Sequence, residues 1–357
     1  MKGLSLSAET IREELQTFNN RLQQSYQVLQ QIEEVDVGAT PREEIFRNDR
    51  VRLYYYPPTE TGGSKLLPPV LICYALVNRP YIADLQPDRS LIGSLTRQGV
   101  PVYLIDWGYP EPSDRYLTLE DYIEDYLDSC VRASSKHAAQ EKINLLGICQ
   151  GGTFSLCYTA LHPERIERLI TLVTPVDFHT ADFTLSHLAM EVDADLAVET
   201  YGNIPGELLN DTYNSLMPMR LGVQKNLGLP KQLSDREKAL NFLRMEKWIN
   251  DGPDQAGEAF KQFIQQFFQQ NLLLKGEAEI GGWKVDLKQI KQPILNIIGR
   301  HDHLVPPSSS KALKQATSSR HYKELIVDAG HIGVFVSSRA LKQVPAAICD
   351  WLDSPAD

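Results

Sequence analysis

The sequence predicts an α/β protein built on a mostly parallel β-sheet with helices on both faces. Three observations predict it: short, continuously apolar, β-rich runs; helical stretches between them; and a glycine-flanked turn at the end of one run. A parallel sheet is covered on both faces, so its strands read as unbroken apolar runs rather than as alternating ones. The whole chain has 357 residues, 42% hydrophobic and 23% charged. That composition is close to the globular average and sufficient for one large domain with an insertion.

In chain order, the first element is a helix over residues 7–34. Ser7 can cap it, and Glu9, Glu13 and Glu14 place negative charge near its start, where the helix dipole favours it. Its apolar residues Ile11, Leu15, Phe18, Leu22, Leu29 and Ile32 recur by fours and threes with one skipped step. Such a stripe can lie on the protein's own body or on a partner helix, and both readings stay open.

The β-rich runs begin at residue 51: VRLYYY (51–56), PVLICYAL (69–76), PVYLIDW (101–107), KINLLGI (142–148), RLITLVT (168–174), PILNIIG (293–299) and KELIVDA (323–329). Helices are predicted between them near 88–98, 119–136, 152–161, 308–316 and 339–352. From about 178 to 290 the alternation breaks and the character is helical. This stretch reads as a cap inserted over the carboxyl edge of the sheet, where ligands bind in such folds. Within it Phe260, Phe263, Ile264, Phe267 and Phe268 fall at helical spacing, first of all as helix core and alternatively as a wall facing substrate. The predicted division is an N-terminal helical segment at 1–40 and one catalytic domain at 41–357 carrying the insertion.

Charge and cysteine usage narrow the function. A net charge of −10 argues against bulk binding to nucleic acid or anionic lipid. The five cysteines, at 73, 130, 149, 157 and 349, include no C-x-x-C pair, so neither a disulfide framework nor a zinc knuckle is suggested. The start, MKGLSLSAETIREEL, lacks a signal-like apolar run, and no stretch approaches the roughly 18 apolar residues of a membrane span. A cytoplasmic protein that does not span a membrane is expected.

The decisive segment is Asn144-Leu145-Leu146-Gly147-Ile148-Cys149-Gln150-Gly151-Gly152. An apolar strand enters a tight turn bearing a nucleophile, and a helix follows. This is the nucleophile elbow G-x-S-x-G with Cys for Ser, which makes the predicted architecture an α/β-hydrolase fold. Side chains at 147 and 151 would collide where strand and helix backbones converge. Cys149 sits at a helix N-terminus, where backbone N–H groups favour the thiolate.

Asp302, in Gly299-Arg300-His301-Asp302-His303, directly follows the strand PILNIIG. His331, in Asp328-Ala329-Gly330-His331, follows KELIVDA. The chain order of nucleophile, acid, histidine is that of the α/β-hydrolase triad. His331 is suited to take the thiol proton and later to activate a hydroxyl, while Asp302 fixes its tautomer or assists the incoming hydroxyl itself. The tetrahedral oxyanion needs two donors. The N–H of Gln150 is one, and the loop after strand 69–76 should supply the other, with Val77 the candidate. The histidines at 137, 162, 179, 187 and 321 show no partner pattern, and His303 can shape the site or lie on a loop surface. The cysteines at 73, 130, 157 and 349 read as inert packing. No carboxylate–histidine cluster has metal-ligand spacing, and no glycine loop fits a nucleotide site, so neither metal nor bound cofactor is expected.

A thiolate exchanges readily with a thioester because attacking and leaving atoms are both sulfur, which favours acyl transfer from an acyl-CoA. The chain resembles class III polyhydroxyalkanoate synthases along nearly its whole length, in ALVNRPYIADLQPDRS, YLIDWGYP, NLLGICQGG, LVTPVDF, GNIPGELLN, NFLRMEKWINDGPDQAGEAF, DHLVPP and GHIG. The resemblance implies that Cys149 carries the growing chain, His331 is its base and Asp302 helps the next hydroxyl to attack. It also implies an (R)-3-hydroxyacyl-CoA substrate, most often 3-hydroxybutanoyl-CoA, a second synthase subunit as partner and work at the surface of a polyester granule. The alternatives are a cysteine-type hydrolase, such as a thioesterase or dienelactone-type hydrolase, and a non-catalytic granule scaffold. Free acid as product would mark the first, and an intact triad speaks against the second.

Overall fold

The computed structural model describes residues 8–59, 65–216, 229 and 233–355. It divides into two compact units, Met1–Val37 with Asn210–Asn250 and Gly38–Leu209 with Asp251–Asp357. The first unit joins the chain up to Val37 with Asn210–Asn250, from the middle of the predicted insertion.

The larger unit holds an eight-stranded sheet. Its strands are β1 (Glu43–Asn48), β2 (Val51–Tyr56), β3 (Val70–Cys73), β4 (Val102–Asp106), β5 (Ile143–Ile148), β6 (Ile166–Leu172), β7 (Ile294–Gly299) and β8 (Tyr322–Val327), in the order β1-β2-β4-β3-β5-β6-β7-β8. Only β1 with β2 and β2 with β4 pair antiparallel; the other five pairings are parallel. All seven predicted runs are strands. β1 was not predicted, because Glu43-Glu44-Ile45-Phe46-Arg47-Asn48 is polar and half exposed, as suits an edge strand.

Both faces are buried. Leu71, Cys73, Tyr103, Ile105, Leu145 and Leu169 join one core cluster with Phe154, Leu156 and Tyr158 of the helix Gln150–Leu161. Val70, Ile72, Val102, Leu104, Leu146 and Ile170 are also buried and, by the two-residue pleat, face the opposite side. The helices Leu91–Thr96 and Ala340–Asp353 pack on each other and on strands of the sheet. The predicted helix at 119–136 opens with a π-helical turn, Asp121–Leu127, before Asp128–His137.

In this unit the insertion contributes the helices Thr184–Met190, Ala194–Tyr201 and Gly257–Phe263, the last continuing into a π-helical turn at Ile264–Gln269. The phenylalanine stripe forms core. Phe263, Phe267 and Phe268 close around Phe178 with ring centroids 4.9–6.0 Å apart, and Phe263 meets Phe154 edge-on at 6.0 Å. Aromatic pairs at these spacings add stabilisation beyond the apolar area they bury.

In the smaller unit the N-terminal helix is Ala8–Gln30, and it packs on the helix Arg236–Asn250. Ser7, the predicted cap, lies outside the described residues. Arg244 donates to the Asp36 backbone carbonyl and carboxylate, and Lys247 to the Val35 carbonyl, which ties down the chain following the helix. The helix keeps Leu15, Phe18 and Leu22 exposed, at 59%, 49% and 52%. No helix among the described residues is long and apolar enough to cross a membrane.

The aromatic cluster yields a stability expectation. Phe267 is fully buried, so Phe267→Ala should lower the unfolding free energy by about 3–5 kcal/mol. Phe260 only lines the core, and Phe260→Ala should cost clearly less in the same urea titration.

Candidate active site

The site is built by strand register. Gly147 of β5 lies beside Cys73 of β3 and Thr171 of β6, and Gly299 of β7 lies beside Val327 of β8. The carboxyl ends of five parallel strands are therefore level. The loops that leave them carry Leu76–Arg79, Cys149, Asp302 and His331 out at one edge.

Cys149 ends β5 in a left-handed, strained turn, with φ 54° and ψ −125°. Its N–H still donates to Leu172 of β6 at 2.9 Å, and its carbonyl accepts from Gly152 at 2.9 Å as the helix Gln150–Leu161 begins. The glycines permit this approach. A Cβ on Gly147 would overlap Gly152, and one on Gly151 would overlap the carbonyl oxygens of Cys73 and Tyr74. The third glycine, Gly152, seats Thr174 in the same way. The first N–H groups of a helix have no intrahelical partner, so those at Gln150 and Gly151 can serve negative charge.

Asp302 and His331 meet. His331 Nδ1 donates to Asp302 Oδ2 at 2.7 Å, and both side chains are buried. Asp302 Oδ1 accepts from the N–H groups of Leu304 and Val305, each at 2.9 Å. Both carboxylate oxygens are thus engaged, which fixes the plane of the imidazole. Burial pulls the His331 pKa down, but the charges of Asp302 and then Cys149 outweigh burial and raise it well above the usual 6.5.

The two loops contain a second aspartate–histidine pair. His301 Nε2 donates to Asp328 Oδ1 at 2.7 Å, and Arg339 holds the other oxygen. This pair is exposed, its side chains 64% and 48% accessible, whereas those of His331 and Asp302 are 6% and 0%. Water screens the outer pair and not the inner one. His137, His162 and His179 bond to Tyr103, Glu124 and the Phe268 carbonyl, as structural histidines do.

The cysteines separate in the same manner. Burial pushes the thiols of Cys73 and Cys157 up to about 12 and that of Cys349 up to about 11, and it raises Cys130 as well. Each is held as an unreactive thiol, while Cys149 is only half-buried.

The loop after β3 carries Val77, the predicted second oxyanion donor. It is held by groups that the residue pattern did not single out. Trp107 Nε1 donates to the Tyr74 carbonyl at 2.8 Å. Arg79 donates to Asp106 at 2.7 Å and to the Gly108 carbonyl at 2.7 Å, and its guanidinium lies 4.1 Å from the Tyr109 ring centre. Asp251 accepts from Tyr81 and Tyr109 hydroxyls at 3.0 and 2.5 Å. Each pairing spans more than 25 residues of sequence, and only the unusual charge in the apolar context NRPYIADL hinted at Arg79.

The raised His331 value has a testable sign. Removing the nearest anion, as in Asp302→Asn, should lower the His331 titration midpoint followed by NMR, and Cys149→Ala should lower it less. Because folding raises the value, the imidazolium contributes its full stability below about pH 6.5 and loses it as pH rises through the folded value.

Comparison with known proteins places the chain. A family model described as alpha/beta hydrolase fold matches residues 68–338, and one described as Poly-beta-hydroxybutyrate polymerase (PhaC) N-terminus matches residues 1–95. The poly(3-hydroxyalkanoate) polymerase subunit PhaC of Allochromatium vinosum is 50% identical over 353 residues, 99% of either chain. That of Thiocystis violacea is 47% identical over 99% of either chain, and that of a Synechocystis species 48% identical over 90% of this chain and 86% of its own. Among solved structures, the Paleococcus ferrophilus monoacylglycerol lipase superposes with a TM-score of 0.53 at 17% identity, covering 85% of this chain and 98% of the lipase. That likeness carries the fold alone. The chain belongs to the poly(3-hydroxyalkanoate) polymerase family, acyltransferases on the α/β-hydrolase fold.

Proposed function

We propose that this poly(3-hydroxyalkanoate) polymerase polymerises (R)-3-hydroxyacyl-CoA, with 3-hydroxybutanoyl-CoA as the expected monomer, through a thioester on Cys149. The observation that carries the reading is the buried His331, held at 2.7 Å by Asp302 and acted on by the charge of Cys149 at the strained turn. His331 Nδ1 is committed to Asp302, so Nε2 is the nitrogen that serves Cys149.

In the first half-reaction His331 takes the Cys149 proton and the sulfur attacks the thioester carbonyl. The oxyanion is met by the N–H groups of Gln150 and Val77. The intermediate collapses, the carbon–sulfur bond to CoA breaks, and His331 returns the proton to the departing CoA sulfur. Sulfur replaces sulfur, so the acyl group moves at little thermodynamic cost. In the second half-reaction the hydroxyl of another hydroxyacyl unit gives its proton to His331 and attacks the Cys149 thioester. An ester forms and the thiol is regenerated. Asp302 acts on this hydroxyl through His331, since both its oxygens are engaged. These steps use no metal or bound cofactor, and acyl-CoA enters as substrate.

The same reading places the protein in the cytoplasm at a polyester granule, with a second synthase subunit as partner. The exposed Leu15, Phe18 and Leu22 of the N-terminal helix support a partner contact, because burying an apolar stripe gains about 25 cal/mol per Å².

Two experiments test this. Incubation of Cys149→Ala with 3-hydroxybutanoyl-CoA should release no CoA above background, a loss of several orders of magnitude. Mass spectrometry of the unaltered protein should find the acyl adduct on Cys149, and an adduct on Cys130 or Cys157 would refute the assignment. Accumulation of free acid instead of polymer would mark a hydrolase. Separately, deleting residues 1–34 should weaken co-purification with the second subunit while the remainder folds. A truncated protein that melts earlier alone yet binds its partner at full affinity would show that the helix only covers its own chain.

A further inference from the structure

The loop that carries Val77 is tethered at three levels. At its root, the Tyr74 carbonyl accepts from Trp107 and lies against the bare Cα of Gly151. At its far end, Arg79 is fastened to Asp106 and the Gly108 carbonyl. Between these, Asn78 takes a positive φ of 57°, which asparagine tolerates better than most residues. The middle tether is the Gln150 side chain, whose Oε1 accepts from the Leu76 N–H at 3.0 Å. Donor and acceptor are both buried.

One residue therefore touches both halves of the oxyanion site. The backbone N–H of Gln150 is the first of its helix and faces no intrahelical acceptor. Its side chain reaches across to the segment whose next residue is Val77. Of the three tethers, this hydrogen bond is the one adjacent to Val77. Without an acceptor at this place the buried Leu76 N–H would be left unsatisfied. The segment would then turn to satisfy it and carry Val77 along. Oxyanion donors act only when preorganised, since reorienting them during the reaction forfeits their advantage.

We propose that the Gln150 side chain is a positioning residue, holding the Leu76–Val77 segment so that the Val77 and Gln150 N–H groups converge on the tetrahedral oxyanion. This rests on the reading that Cys149 forms a thioester through such an intermediate. The side chain takes no part in proton transfer and need not touch substrate.

The test compares two reactions of the same sulfur in the full-length protein. Acylation by 3-hydroxybutanoyl-CoA passes through an oxyanion; alkylation by iodoacetamide, a displacement at saturated carbon, does not. Gln150→Met keeps the length of the side chain and removes the acceptor. First-turnover CoA release should slow at least about tenfold, toward the hundredfold that loss of one oxyanion donor costs. Alkylation of Cys149, located by mass spectrometry, should stay within about twofold of the unaltered protein, since the nucleophile and its base are untouched. The alkylation rate also reports that the site is folded, and Gln150→Ala poses the same question should the methionine variant fail to fold. Acylation that stays within about threefold in a folded variant overturns the proposal, and so does a parallel fall of both rates, which would mean a general disturbance of the elbow. Absence of an acyl adduct on Cys149 in the unaltered protein would instead overturn the thioester reading, and the inference with it.

Discussion

Everything at the catalytic edge depends on how closely the helix Gln150–Leu161 can approach the ends of β3 and β5. The positive φ at Cys149 turns the chain within one residue, and the strain is borne because bonds on either side over-determine it. Any side chain at Gly147 or Gly151 would push helix and strand apart. Cys149 would then be carried away from the loops that bear Asp302 and His331, and the helix N-terminus would retreat with it. The motif's glycines are thus geometric conditions for its chemistry.

The second condition is electrostatic. A buried imidazole would ordinarily lose its proton affinity, yet the Asp302 carboxylate reverses the effect of burial. Asp302 can do so because the Leu304 and Val305 N–H groups and His331 satisfy it completely, leaving no buried charge without a partner. The outer pair of His301 and Asp328 has the same chemistry and nearly the same distance but is open to solvent. Burial, not composition, separates the two pairs.

Around this centre the protein spends aromatic side chains on rigidity. Phe178, Phe263, Phe267 and Phe268 bind the insertion of the larger unit into the core, and Phe154 extends that cluster onto the elbow helix itself. The network of Arg79, Asp106, Tyr81, Tyr109 and Asp251 does the same for the loop after β3 with hydrogen bonds. The helix that follows Cys149 and the loop facing it are thus each locked from behind, as the proposed oxyanion donors would require.

Much of this was legible in the residues. Seven of the eight strands of the main sheet stand where apolar runs stood, because strands buried on both faces leave an unbroken signature; within that sheet the polar edge strand β1 lacked one, and the short hairpins Asp84–Ser90 and Ala278–Val285 left none either. The turn at Cys149 could be read from its glycines, and Asp302 and His331 from their places after two strands. The residues gave Asp302 with His331, but not that Asp328 and His301 form a second, exposed pair beside them. Nor could they reveal that the Gln150 amide reaches Leu76, that Arg79 is paired with Asp106, or that the N-terminal helix packs with Arg236–Asn250. These are contacts between positions distant in sequence with no periodic trace. Local pattern follows from which faces of a strand or helix must avoid water. The pairing of polar groups follows from register, from burial and from the few angles at which the chain turns back on itself, and only the tertiary structure sets those.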